Sequence, residues 1–470
     1  MEEKKSVRTR LAPSPTGSVH IGTMYMALFD YVFTRQQGGS FILRIEDTDR
    51  TRLVEGAIDK VYEALDWLQI APDESPKEGG SYAPYIQSER LPLYQKYVQQ
   101  LLDSSHAYHC FCTRERLEQV RETQMKNKEQ PKYDRLCLAL AKEDIEKKLA
   151  AGESYTVRMK VPDNEEVTFY DLARGDITFQ TNQIDDQVIL KSDGYPTYHM
   201  AVVVDDHLMK ITHVFRGEEW ISSTPKHILL CSYLGWKMPE VAHLQLFRNP
   251  DKSKMSKRKG DVSVESYKEK GFLPEALINY MGLLGNPNKE NRDIFDIAYL
   301  IENFSFKRIP LTGPVFDVKK LEWMNGMYIR NMDTKELAKR IEPYLHINTK
   351  AKDEAFFIAS LALIQERLKR FDEGDELLDL FYNRPSIDLK EKTDMLKDMM
   401  GYIKNDIDDA TKLEADIREY ATEKGLKAGE VFTILRDSVT GKKATPPLIP
   451  VIQVLGKEET LLRIQNSIGE

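Results

Sequence analysis

Two groups of residues have the types and spacing for chemistry on phosphates. The first is His20-Ile21-Gly22, inside LAPSPTGSVHIGTMYMALFDYVF from Leu11 to Phe33. The histidine can donate to a phosphate oxygen, and the glycine has no side chain to keep a flat base off the backbone. The second is KSKMSKRKGD, where Lys252, Lys254, Lys257, Arg258 and Lys259 crowd around Ser256. Such a cluster is usually a solvated face or a general anion patch. The string KMSK, however, is expected by chance in only roughly 0.003 chains of this length, taking equal residue usage.

Other candidates have plainer readings. Glu46, Asp47, Asp49 and Arg50 in RIEDTDR, read alone, make a surface ion-pair cluster at a strand end. Asp205-Asp206-His207 has the ligand types for a metal but no third or fourth partner at a set spacing, so it reads as structural or substrate-positioning. Cys110, Cys112 and Cys137 read as reduced thiols, and Cys231 as a buried helical one.

The elements that must hold these groups follow from periodicity. Val7 to Leu11 reads as a strand. Ile21, Tyr25, Leu28, Phe29, Val32 and Phe33 then recur at helical spacing, Gly38-Gly39 ends that helix, and SFILRI returns as a strand. This is a β-α-β unit of a parallel sheet, whose ligands sit where a strand hands over to a helix N-terminus. From about Leu91 to Met200, charged helices alternate with short strands such as SYTVRMKV and DQVILKS, an α+β insertion. Sheet signals resume in MAVVVDDHLMKITHVF, and after about Phe316 helical periodicity dominates. The prolines of ATPPLIPVIQ break the helices before a last one near Glu458 to Asn466.

With 470 residues the chain exceeds one core, since single cores stop growing near ~250 to 300 residues. The composition, 41% hydrophobic and 30% charged, contains no apolar run near the ~18 residues of a membrane helix. The charged start MEEKKSVRTR has no secretory apolar core, so a cytoplasmic location without membrane association is expected. A net charge of −8 argues against coating nucleic acid by bulk electrostatics but leaves room for a local basic surface.

The motifs together resemble the class I aminoacyl-tRNA synthetases, whose signatures are His-Ile-Gly-His and Lys-Met-Ser-Lys-Ser. Here they read His20-Ile21-Gly22-Thr23 and Lys254-Met255-Ser256-Lys257-Arg258, each departing in its last residue. Within that class RLAPSPTG, RIEDTDR, DGYPTYH, RGEEW and RNPDKSKMSKR resemble the bacterial-type glutamyl-tRNA synthetases. The resemblance implies a Rossmann-like, doubly wound parallel sheet split by an inserted α+β acceptor-binding domain and followed by an all-helical anticodon-binding region. The expected boundaries are 1–90 and 200–250 for the two catalytic halves, 91–199 for the insertion, 251–332 for a stem-contact domain with the KMSKR loop, and 333–470 for the helical region, divided near 385.

It further implies activation of L-glutamate with ATP and Mg²⁺ to glutamyl-adenylate, then transfer to the 3′ end of tRNA(Glu), by a monomer. A non-discriminating enzyme that also charges tRNA(Gln) is the alternative. Activation requires cations that neutralise charge spread over three phosphates, which Lys254 and Lys257 on a loop before Gly260 can supply, with His20 and Gly22 opposite. By resemblance, Arg10, Ala12, Ser14, Glu46, Tyr198 and Arg216 bind glutamate, with Glu46 on the α-amino group and the arginines on the side-chain carboxylate. Glu219 and Phe247 join His20, Gly22 and Lys257 around ATP, and Arg367 senses the anticodon. No catalytic metal ligands are expected. Some family members carry zinc on Cys-x-Cys…Cys with a fourth ligand where this chain has Ala139, so a structural zinc at Cys110, Cys112 and Cys137 is not expected. Tyr133, His106 and His109 are the available substitutes.

Overall fold

The computed structural model describes residues 6–253, 255 and 262–470; the predicted loop lysines Lys254 and Lys257 lie outside the described residues. The chain divides into two compact units. One comprises Met1–Ser266 and Ile278–Asp317, the other Tyr267–Leu277 and Val318–Glu470.

In the first unit β1 (Arg8–Leu11) and β2 (Ser40–Leu43) pair in parallel, Arg8 opposite Ser40 and Leu11 opposite Leu43. The helix Ile21–Gln37 connects them, and its predicted apolar positions, Ile21, Tyr25, Leu28, Phe29, Val32 and Phe33, are all buried. It stops at Gly38, whose φ of 65° is left-handed and whose N–H bonds back to Thr34 and Arg35 carbonyls. A side chain on the next residue, Gly39, would put its Cβ 2.0 Å from the Val7 carbonyl oxygen. The turn therefore needs both glycines.

The remaining strands are β3 (Ala107–Cys110), β4 (Thr156–Met159), β5 (Glu166–Asp171), β6 (Gly175–Gln180), β7 (Val188–Leu190), β8 (His213–Gly217) and β9 (Glu240–Leu244). The insertion forms its own antiparallel sheet, β3-β4-β7, with the charged helices Arg114–Lys126 and Lys142–Ala150 beside it in sequence. Two features refine the expected split parallel sheet. The parallel strands fall into two ladders, β1-β2 and β8-β9, which meet at Arg8: its carbonyl accepts the Thr212 N–H (2.9 Å) and its N–H is taken by the Thr212 side chain (2.8 Å) just before β8 begins. The β5-β6 hairpin, read as part of the insertion, joins the second piece in the order β6-β5-β9-β8 through Asp171 opposite Val241. That pairing spans about 70 residues, and no local pattern signals it.

Every described secondary-structure element of Val318–Glu470 is helical. Leu337, Leu361, Leu396, Ile403, Leu413, Leu435, Ile452 and Ile464 form its core with Leu273 and Ala276 from the earlier stretch of the same unit. The expected proline break is narrower than predicted. Pro450 lies inside the helix Leu448–Leu455, in the first turn, where no N–H is needed for an intrahelical bond.

Candidate active site

The β1-β2 pairing continues past both strand ends. Arg44 N–H donates to the Leu11 carbonyl and Glu46 N–H to the Pro13 carbonyl, each at 3.0 Å, which places Glu46 beside Ala12 and Ser14. From there a cavity of about 860 Å³ opens toward the start of the helix Ile21–Gln37. Arg10, Ala12, Ser14, His20, Gly22, Glu46, Tyr198, Arg216, Glu219 and Phe247 all line it. The structure thus brings together every described residue predicted for glutamate and ATP. Thr23, the departure at the end of the first signature, lines it too.

His20 is the N-cap of its helix: its Nδ1 accepts the Gly22 N–H at 2.9 Å. With Nδ1 as acceptor, the neutral ring carries its proton on Nε2, the arrangement a phosphate oxygen requires. A Cβ on Gly22 would stand 3.0 Å from that Nδ1 and crowd the cap. The Phe247 ring packs against Tyr25 (centroids 4.4 Å) and Phe316 (5.2 Å), so its aromatic face is committed to the wall.

Charge around Arg10 and Glu46 is organised by buried pairs. Arg44, completely buried, donates to Asp206 (2.6 Å) and to Glu46 (3.0 Å), and Arg10 Nε donates to Asp206 at 3.1 Å. Asp205, its neighbour in sequence, accepts from Arg90 (2.7 Å), Gln87 (2.9 Å) and Tyr94 (2.8 Å). Both aspartates thus accept hydrogen bonds from protein donors. Burial pushes the Glu46 carboxyl up to about 7, with Arg44 and Arg10 opposing the shift.

Arg216 is the exception among these cations. It is buried, yet among the described residues it makes no ion pair. Its partners are His243 (3.0 Å), His227 (3.1 Å) and Thr224 (2.7 Å). Burial lowers its pKa, and the nearby Tyr198 hydroxyl works the other way. A buried guanidinium without an acidic partner suits an anionic ligand, since an uncompensated charge in low dielectric is costly. The Tyr198 ring packs on Trp220 at 4.5 Å.

Two other residues of this site, Asp30 and Lys191, belong to no motif, and Trp220, the last residue of RGEEW, lines the cavity with them. Lys191 is fixed by the Thr48 carbonyl at 3.0 Å, while both carboxyl oxygens of Asp30 are buried without a hydrogen-bond partner. A signal existed only for Asp30, a charge on an otherwise apolar helix face. Arg367 belongs to the other unit and is exposed, one N–H donating to the Thr445 carbonyl.

Away from the cavity, the sulfurs of Cys110, Cys112 and Cys137 lie within 4.8 Å of one another. The Tyr133 hydroxyl stands 3.5 Å from Cys110 and 3.4 Å from Cys112. Of the three substitutes named for a fourth ligand, Tyr133 is the one whose side-chain oxygen reaches this cysteine group.

The fold and the cavity define a class I synthetase, and comparison with known proteins says the same. Residues 6–323 match the model of the class I tRNA synthetase (E and Q) catalytic domain, and residues 336–468 that of an anticodon binding domain. The glutamate–tRNA ligase of Acidothermus cellulolyticus is 44% identical over 98% of this chain and 95% of its own length. That of Alkaliphilus metalliredigens is 44% identical over 98% of both chains. The crystal structure of a glutamate–tRNA ligase from Elizabethkingia meningosepticum, in complex with its amino acid, superposes with a TM-score of 0.91 at 35% identity over 99% of both chains. The chain belongs to the glutamate–tRNA ligase family of class I aminoacyl-tRNA synthetases.

Proposed function

We propose that this chain condenses L-glutamate with ATP, with Mg²⁺, to glutamyl-adenylate and transfers the glutamyl group to the 3′ end of tRNA(Glu), as a monomeric cytoplasmic enzyme. The observation that carries the reading is Arg216, a buried cation without an acidic partner, in one cavity with Glu46. A substrate with a side-chain carboxylate and an α-ammonium group supplies the partners these two residues need. In this reading Arg10 and Arg216 hold the side-chain carboxylate, Glu46 the ammonium, and Ala12, Ser14 and Tyr198 the frame between them. The neutral amide of glutamine would leave the Arg216 charge uncompensated.

The substrate carboxylate then attacks the α-phosphorus of ATP and pyrophosphate leaves. His20 donates from Nε2 to the phosphates, Gly22 lets the base approach the helix start, and Glu219 and Phe247 border the nucleotide. Lys254 and Lys257 are assigned from sequence to the departing charge, where only interactions stronger in the transition state accelerate the step. Mg²⁺ would add charge neutralisation at the same phosphates. The insertion presents the acceptor end, residues 251–332 meet the stem, and the helices past 333, Arg367 among them, meet the anticodon.

Pyrophosphate exchange into ATP tests the reading. It is expected with glutamate plus tRNA(Glu) and absent with glutamine. Lys257→Ala should slow it by roughly 100-fold while tRNA affinity holds. Exchange independent of glutamate would remove the assignment.

A further inference from the structure

Arg216 is aimed by a set of groups of which only His199, the last residue of DGYPTYH, belongs to a motif. Asp171, the last residue of β5, and His243, on β9, are both completely buried. Asp171 Oδ2 accepts from His243 Nδ1 at 2.6 Å and from the His243 backbone N–H at 3.1 Å. Its Oδ1 accepts the Ala173 and Arg174 N–H groups at 2.9 and 3.0 Å. A carboxylate so placed keeps the His243 proton on Nδ1 and leaves Nε2 as an acceptor, and Arg216 Nε donates to it at 3.0 Å. On the other side His227 Nδ1 faces Arg216 Nη1 at 3.1 Å, and its Nε2 meets His199 Nδ1 at 3.0 Å. Thr224 Oγ1 accepts from Nη2 at 2.7 Å. The wall thus holds three of the five guanidinium N–H groups through neutral acceptors and cancels none of the charge. Burial depresses the basicity of His227 and His243, and that of His199 to about 4, so all three rings stay neutral near pH 7.

We propose that Asp171 and His243 are positioning residues for amino-acid recognition: by fixing the His243 tautomer they hold Arg216 charged, unpaired and correctly turned toward the substrate carboxylate. The proposal rests on the assignment of Arg216 to glutamate. In the opposite tautomer an N–H would face an N–H in a dry site, and Arg216 would have to rotate away.

Asp171→Asn tests it. The asparagine oxygen can keep the loop N–H bonds, while its amide presents N–H to Nδ1 and drives the proton to Nε2. The expected result is a KM for glutamate raised roughly 10- to 100-fold with the KM for ATP changed less than about twofold. In ¹⁵N-histidine-labelled enzyme the His243 proton should move from Nδ1 to Nε2. A second pair needs no change at Asp171. His243→Phe keeps ring shape but removes the acceptor and should raise the glutamate KM equally, and His243→Gln, which restores an acceptor oxygen, should recover most of it. If Asp171→Asn does not fold, this pair decides. Glutamate and ATP KM values rising together, or an unmoved glutamate KM in both Asp171→Asn and His243→Phe, would overturn the relay. If Arg216→Ala itself leaves the glutamate KM unchanged, the Arg216 assignment falls instead, so the two failures are distinguishable.

Discussion

At the scale of residues, burial makes the Glu46 carboxyl sensitive to pH. Out of water its ionised form is disfavoured, and the neighbouring Arg44 returns only part of the loss, so it titrates at about 7. An α-ammonium group needs the ionised carboxylate. In the proposed assignment of Glu46 to that group a proton on Glu46 competes with substrate, and glutamate affinity should weaken as pH falls through about 7 and level off above it. Glu46→Gln should raise the glutamate KM by roughly 10- to 100-fold and flatten the pH profile. Isothermal titration with glutamate from about pH 6 to 8 checks both, and equal affinities for wild type across that range would contradict them. Arg10, His20, Glu46 and Arg216 were legible because their neighbours spell motifs. Asp206 stood out only as part of an acidic run and His243 not at all, because their meaning lies in partners far along the chain. Asp206 takes Arg10 from 196 residues away, and Asp171 meets His243 across 72.

At the scale of elements, the first helix was legible to its end, since Gly38 and the apolar spacing are local signals. The helical unit shows what local signals omit. Arg463, buried in the last helix (Lys457–Ile468), donates to the Leu380, Phe381 and Val439 carbonyls. These close the helices Gly374–Tyr382 and Ala428–Thr440, whose final carbonyls have no intrahelical donor. Arg463→Ala would leave three buried carbonyl acceptors unpaired, at about 1 to 3 kcal/mol each, while Glu459, its 2.8 Å partner, keeps Arg384. Hydrogen exchange in those two helices should accelerate accordingly, and unchanged protection would contradict the role. Glu459 is held down to about 2 by Arg384 and Arg463. Because its folded pKa lies below the ordinary 4.5, its contribution is complete above pH 4.5 and is lost as pH falls toward 2. In Arg463→Ala that acid-sensitive window should shrink.

At the scale of the whole molecule, a catalytic α/β part and a helical part were legible from the change in periodicity, but the seam was not. The second unit takes Tyr267–Leu277 from the middle of the sequence, where Phe272, Leu273 and Ala276 are buried and the Leu273 N–H bonds to Asn325 at 2.8 Å. The Phe371 N–H returns to the Gly271 carbonyl at 3.2 Å. A chain ended at 323 would strip the cover from those apolar residues. It should aggregate or bind a hydrophobic dye, unless Phe272 and Leu273 are made polar; clean monomeric behaviour of the unmodified fragment would contradict this.

The most direct measurement follows from a cavity with an unpaired buried arginine: steady-state charging of purified tRNA(Glu) with glutamate and with glutamine by the intact chain. With Arg216 on the side-chain carboxylate, as proposed, the enzyme should prefer glutamate by roughly 10⁴ in kcat/KM, and Arg216→Ala should erase most of that ratio. Charging with glutamine within about tenfold of glutamate, or no charging with either, would contradict it.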